Sequence, residues 1–320
     1  MRKLKLPIWC FGITFCLIGC LILHKVIVNG KKDLQVNIPG QFALLVNTPL
    51  RIQDGKVYKY GADGVWKDLE VTTDAKQILS GEDLCILNRD GSLYYDGLIE
   101  IELDSNRNFP LSAGHSIYMK QKVLAINKEE PFAWLNKSLD LVEETNLFLL
   151  QSGEILYTLG DEYERYRLEE KPIQLSGSYI LTEKGNVYVF DTVKKRWGEV
   201  VPTFECIYKK EDVVMISSCS TRCLALRENG TVLSWRQEKN RETLDVKNWK
   251  NVIAVEQGFN YGIGLTSEGK ILYTDYDLVK TEEIKKELSN WSDIVQISVN
   301  GGCIAGLKKD GSCLICKIWE

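Results

Sequence analysis

The chain has 320 residues, 44% of them hydrophobic and 26% charged, with 40 lysines and arginines against 44 aspartates and glutamates. That length and composition support a sizeable folded core and exclude a disordered or fibrous chain. Residues 1–32 hold six basic residues and no acidic one, leaving 34 against 44 and a net charge of −10, which excludes the basic footprint of a nucleic-acid binder.

Arg2, Lys3 and Lys5 mark a short basic tail, residues 1–5, ahead of an uncharged run from Leu6 to Leu23. His24 and Lys25 interrupt the run, and Val26, Ile27 and Val28 extend it. About eighteen apolar residues suffice to cross a bilayer, so residues 6–28 are predicted to be a transmembrane signal-anchor helix. Two other readings stay open. A cleaved secretory signal wants a shorter apolar core and a small-residue cleavage site, which the sequence lacks. A lipoprotein signal would use Leu17-Ile18-Gly19-Cys20 and lipidate Cys20, although the residues that follow stay apolar. Basic residues flank the span on both sides, so the positive-inside rule gives little asymmetry. The expected arrangement is a single-pass cell-membrane protein whose tail is cytoplasmic and whose main domain is extracytoplasmic. A linker, residues 29–40, leads into it.

From residue 41 to 320 the sequence repeats. NWKNVIAVEQGFNYGIGLTSEGKILYT from Asn248 and NWSDIVQISVNGGCIAGLKKDGSCLIC from Asn290 align without a gap at an offset of 42, and the stretch from Asp212 joins them at an offset of 39. A shared core of leucine, three residues, glycine, one residue and an aliphatic pair recurs at Gly91, Gly153, Gly185, Gly230, Gly269 and Gly311. The unit at Gly55 has Arg51 in the leucine position, and an eroded unit begins at Ala113, giving seven clear units and one weak one. Each unit is predicted to be a β-hairpin, because Asp-Gly and Asn-Gly accept positive φ at a tight turn and apolar residues flank it. A further strand precedes the best hairpins, at Val252 to Val255 and Ile294 to Ile297, and helical periodicity is confined to a short stretch from Thr281 to Leu288. Modules of roughly four strands cannot bury their faces alone, and radial closure would remove their edges. Ala225, Gly264 and Gly306 align, and such small side chains are expected to let the innermost strands approach a common axis.

The pattern W-x-x-I/V-I/V-x-I/V, a turn, then L-x-x-D/E/N-G-x-V/I/L resembles the RCC1 repeat of the regulator-of-chromosome-condensation β-propeller family. It is carried by Trp249 to Thr274, Trp291 to Cys316 and Asp212 to Trp235, and more weakly back to about Phe42. The glycine pair that precedes the second strand in that family survives as Gly301-Gly302 and is half kept as Gly258-Phe259. The glycine that should follow Trp235 is missing. The resemblance implies an all-β, RCC1-like propeller over residues 41–320, with seven blades and the last closed by N-terminal residues. It transfers no functional residue, since the namesake's nucleotide exchange on chromatin is not expected of an acidic domain behind a membrane segment.

Parts for catalysis are few. The chain has two histidines, and a nucleophilic triad would depend on His115. Adjacent acids such as Glu129-Glu130, Glu143-Glu144, Glu169-Glu170 and Glu282-Glu283 point apart and read as solvated. Outside the span lie Cys85, Cys206, Cys219, Cys223, Cys303, Cys313 and Cys316, an odd set without a second pair at zinc-site spacing, read as small buried side chains. No catalytic residue, cofactor or metal is expected. Tyr163, Arg165, Tyr166, Arg167 and Tyr276 lie between hairpins, where propeller loops would form, and tyrosine and arginine favour binding surfaces. The expected function is therefore non-catalytic binding of a protein, peptide or cell-envelope glycan through rim loops or the channel mouth by a monomeric propeller. Carboxylate chemistry in the mouth and a structural spacer are the alternatives.

Overall fold

The computed structural model describes residues 41–45, 47–79, 84–90, 93–96, 132–136, 147–150, 152–159, 162–194, 200–219, 221–237, 243–276, 281–300 and 302–318. The predicted span 6–28, Cys20, the weak unit from Ala113 and His115 lie outside them. No helix among the described residues is long and apolar enough to cross a membrane.

Among the described residues seven antiparallel sheets follow one another along the chain, each with its strands in sequence order. The first is β1 (Phe42–Leu45), β2 (Thr48–Gln53), β3 (Lys56–Tyr60) and β4 (Trp66–Asp68). The second is β5 (Ala75–Leu79), β6 (Leu84–Asn88) and β7 (Leu93–Asp96), and the third is β8 (Phe132–Asn136), β9 (Leu147–Leu150), β10 (Ile155–Leu159) and β11 (Glu162–Tyr166). The fourth comprises β12 (Pro172–Ser176), β13 (Tyr179–Thr182), β14 (Val187–Lys194) and β15 (Val200–Tyr208). The last three are β16 (Val213–Cys219), β17 (Arg222–Arg227) and β18 (Val232–Arg236); β19 (Val252–Gln257), β20 (Tyr261–Thr266) and β21 (Ile271–Asp275); and β22 (Ile294–Asn300), β23 (Cys303–Lys308) and β24 (Cys313–Lys317). Helix α1 (Thr281–Ser289) separates the sixth sheet from the seventh.

Every clear glycine unit falls between the second and third strands of its sheet, so the sequence repeat is a structural one. Gly185 shows why the residue is needed: φ is +81°, and a Cβ would lie 2.8 Å from the backbone carbon of Glu211. The close approach is a hydrogen bond between sheets. Val213 N donates to Gly185 O (3.2 Å), and the same tie recurs as Ala75 N to Gly55 O (2.7 Å), Val252 N to Gly230 O (3.0 Å) and Ile294 N to Gly269 O (3.2 Å). These four hairpin tips thus fasten the start of the next sheet's first strand. Those first strands are bulged just after their first residue, as at Pro172/Gln174, Val213/Met215, Val252/Ala254 and Ile294/Gln296. They also touch one another in succession, β12 to β16 to β19 to β22 to β1 and on to β5, which places them innermost.

Apolar residues fill the spaces between neighbouring sheets at six junctions. Leu50, Val57, Ile78 and Ile86 join the first two sheets, and Leu149, Ile155, Ile180 and Phe190 join the third and fourth. Leu181, Val187, Ile216 and Ala225 join the fourth and fifth, and a larger cluster around Trp249, Val255, Ile263, Trp291 and Ile304 spans the fifth to the seventh. Phe42 and Leu44 then pack on Val295, Ala305 and Leu307, bringing the first sheet against the last.

Three expectations are corrected. Among the described residues the last sheet takes no N-terminal strand; residues 42–68 form their own sheet, and closure is by packing and side-chain bonds. Gly311 O accepts from Trp66 Nε1 (2.8 Å), Asn300 Nδ2 donates to Leu44 O (3.3 Å), and the Arg51 guanidinium lies 4.3 Å over the Trp66 ring, which explains the missing leucine there. Second, four of the seven sheets have three strands. In the sixth, α1 covers the outer strand and buries Ile284 and Leu288; after the fifth, an extended segment buries Leu244, Val246 and Trp249. Third, Gly264 and Gly306 lie on second strands, where smallness serves another purpose. A Cβ on Gly264 would sit 2.9 Å from the Trp249 ring, and one on Gly306 2.8 Å from the Trp291 ring, so both glycines make room for tryptophan.

Candidate partner-binding surface

The ring has two unlike ends. Hairpin tips occupy one. The turns between first and second strands occupy the other, together with the exits of the third strands: Gln237 N donates to Thr221 O (2.8 Å), Tyr276 N to Asn260 O (3.0 Å) and Ile318 N to Gly302 O (2.7 Å). The backbone repeats at this end, and so does a tie from the side chains that open the second strands: Tyr179 Oη donates to Thr221 O (2.7 Å), Arg222 Nη1 to Phe259 O and Tyr261 Oη to Cys303 O (3.3 Å). Arg222, Tyr261 and Cys303 open the second strands of three consecutive sheets.

At the fifth and sixth sheets this end carries an aromatic cluster around an arginine. The Arg222 guanidinium carbon is 5.5 Å from the Phe259 ring centroid and 5.0 Å from that of Tyr276, within cation–π range of both. Its Nη1 also donates to the Phe259 carbonyl. Phe259 stands where the repeat pattern has its second glycine. Gly258 has kept the first because a Cβ there would meet the Tyr261 ring at 2.3 Å, whereas Phe259 has no positive φ and is free to carry a side chain. That ring is 49% exposed, unusual for a phenylalanine.

The aromatic residues singled out in the sequence are split between two places. Tyr276 belongs to the cluster just described. Tyr163, Arg165 and Tyr166 lie on β11, the outermost strand of the third sheet, and Arg167 follows it, so this stretch is an edge strand rather than a loop. Tyr166 stacks on Phe204 of β15 (3.9 Å, 7° between planes), closing the outer seam between the third and fourth sheets. Arg167 and Arg165 approach Glu154 at 3.2 and 3.6 Å, and the Arg167 hydrogen bond holds that carboxyl below its usual range. The Tyr163 side chain lies outside the described residues. Sequence reasoning missed Arg222, which stands where neighbouring units have Tyr179 and Tyr261, and met Phe259 only as a half-kept glycine pair.

Chemistry elsewhere is sparse. Glu256 on β19 accepts a hydrogen bond from Ser217 Oγ (2.9 Å) on β16, and burial pushes its carboxyl up to about 7. No second carboxylate shares that site among the described residues. Cys206, Cys219, Cys223, Cys303, Cys313 and Cys316 are free thiols, and burial pushes Cys313 and Cys316 up to about 12, far from thiolate at neutral pH. Those two face different neighbours: Cys313 packs toward the first sheet and Cys316 into the cluster shared with the sixth. No group of three or more metal-ligating side chains occurs among the described residues.

No protein-family model and no curated protein sequence matches the chain. Solved structures do. The WD40 ectodomain of the CRINKLY-type receptor kinase ACR4 from Arabidopsis thaliana superposes with a TM-score of 0.53 at 11% identity, covering 87% of this chain and 94% of that one. Prp20p from Saccharomyces cerevisiae, the yeast RCC1 protein, gives 0.51 at 13% identity over 81% of this chain and 80% of its own. The BBS1 N-terminal fragment crystallised with ARL6 gives 0.52 at 12% identity, covering 90% and 95%. At such identities the likeness concerns fold alone.

Proposed function

We propose that this RCC1-like β-propeller is a non-catalytic binding module, held at the cell membrane by residues 6–28, that takes a protein partner at the end bearing Arg222, Phe259 and Tyr276. One observation carries the reading: a half-exposed phenylalanine, at a position where the repeat needs no side chain, shares an arginine with a tyrosine. Aromatic residues and arginine are the side chains that dominate the energy of protein interfaces. Propellers of this fold serve as such platforms elsewhere, since Prp20p binds Gsp1p and histones and the BBS1 fragment is seen in complex with ARL6. Fold alone transfers no partner. The hydrolase alternative would want convergent buried acids, and Glu256 faces a serine instead.

The test is a photo-reactive phenylalanine analogue at position 259 of the full-length chain in its own cells, compared with the same analogue at position 229 on the tip end. A defined peptide adduct at 259 and none at 229 is expected. Equal labelling at both positions, no adduct at 259, or an adduct bearing saccharide instead of peptide would overturn the reading.

A further inference from the structure

We propose that Arg222 is the receptor for a carboxylate on an acidic side chain of the partner, an inference that rests on the turn end being the partner-binding surface. β17 carries an arginine at each end, and they are treated differently. Arg227, at the tip, is held by Asp212, whose Oδ2 accepts from both Nε (2.9 Å) and Nη2 (2.6 Å). Arg222 has no carboxylate partner among the described residues. Its contacts are the Phe259 carbonyl and the two aromatic rings.

The rings decide what Arg222 can still bind. A guanidinium presents five N–H groups in its own plane and nothing else. With Phe259 and Tyr276 near it and Nε buried, the outlet left is the Nη1/Nη2 end of that plane, where one Nη1 hydrogen is already used. A planar acceptor with two oxygens matches such an edge, which is the geometry of a carboxylate. Holding the side chain between rings also removes rotamer freedom before the partner arrives, so less is lost on binding.

The probe is a short peptide with two glutamates around a phenylalanine, compared with its glutamine isostere, titrated against the full-length chain in mild detergent and followed by saturation-transfer NMR. The glutamate peptide should bind roughly tenfold more tightly, and the difference should vanish in Arg222→Gln. Arg222→Lys keeps the charge without the fork and should retain only part of the preference. The near-ultraviolet circular dichroism of each variant reports whether its fold is intact. A second readout needs no variant: raising salt from about 50 to about 300 mM should weaken the glutamate peptide and leave the glutamine peptide unchanged. Equal affinity for the two peptides, binding of neither, or a preference that survives Arg222→Gln in a folded protein would overturn the assignment. A position-259 adduct without a glutamate preference removes the carboxylate receptor alone, whereas loss of the adduct removes the binding surface with it.

Discussion

The two ends of the propeller obey different rules, and β17 shows both within six residues. At its tip end Arg227 is neutralised by Asp212, whose carboxyl that hydrogen bond holds below its usual range, and the adjoining Gly230 ties down the next sheet. At its turn end Arg222 is braced by rings and has no carboxylate partner among the described residues. The tip end repeats because it builds the ring: a glycine carbonyl must reach the following first strand in sheet after sheet. At the turn end the side chains that open the second strands also reach the next sheet, but the residue type that does so changes, from Tyr179 to Arg222 to Tyr261.

Two substitutions test whether the tips differ among themselves as the packing says. Gly185→Ala adds a Cβ 2.8 Å from the Glu211 backbone at a φ of +81°, and should cost at least about 3 kcal/mol. Gly311→Ala has a φ of +87° but meets only the Arg51 side chain, at 3.9 Å, and should cost about 1 kcal/mol. Urea unfolding of both variants measures the gap. Equal losses would mean that backbone angle, and not the tie between sheets, sets the need for glycine.

Next in size is a charge near the turn end. Glu256 is faced by Ser217 from β16 and by Tyr261 from β20, with no cation beside it. Burial raises its folded pKa to about 7, from the ordinary value of 4.5. Between those values the folded chain holds a proton that the unfolded chain has released. The stability from this group is therefore complete below about pH 4.5 and is lost as pH rises to about 7. Glu256→Gln mimics the protonated form. It should match the wild type at pH 4 and exceed it at pH 8 by up to about 3 kcal/mol, read from urea midpoints at both pH values. A difference independent of pH would show that the carboxylate is solvated.

Much of the tip end was legible in the sequence, because it rests on local rules. Gly55, Gly153, Gly185, Gly230, Gly269 and Gly311 all mark turns, since positive φ is written in residue type. The helix from Thr281 was legible for the same reason. What escaped depends on neighbours distant in sequence. Gly264 reads as a small residue, and only the fold shows that Trp249 fills the space above it. Tyr163 to Tyr166 reads as a polar loop until its pairing with β10 makes it a strand. Arg222 is one polar residue among many until Phe259, thirty-seven positions on, closes over it.

The closing seam is an intermediate case, since Trp66 Nε1 supplies to Gly311 O the bond that a backbone amide gives at other tips. Trp66→Phe keeps an aromatic face for Arg51 and loses that donor, so about 1 kcal/mol should go, with faster hydrogen exchange confined to the first and last sheets. Uniform loss of protection around the ring would mean that the seam is no weaker than the other junctions.

Phe259→Ala should be the mildest change to the fold and the most damaging to binding. Its ring is 49% exposed, and what it covers is the Arg222 guanidinium, not core. Stability should shift by no more than about 0.5 kcal/mol, because surface substitutions away from caps, cores and special backbone angles stay near that limit. The carbonyl that accepts from Arg222 belongs to the backbone and survives the substitution. Arg222 would keep that bond and the Tyr276 ring while losing one of its two aromatic faces, so any partner that needs a fixed guanidinium would bind less well. A crosslink placed at position 276 reads the outcome: it should fall in Phe259→Ala while the urea midpoint holds. A large stability loss would instead make Phe259 a structural residue, and the contrast between a constrained tip end and a free turn end would fail at the residue that defines it.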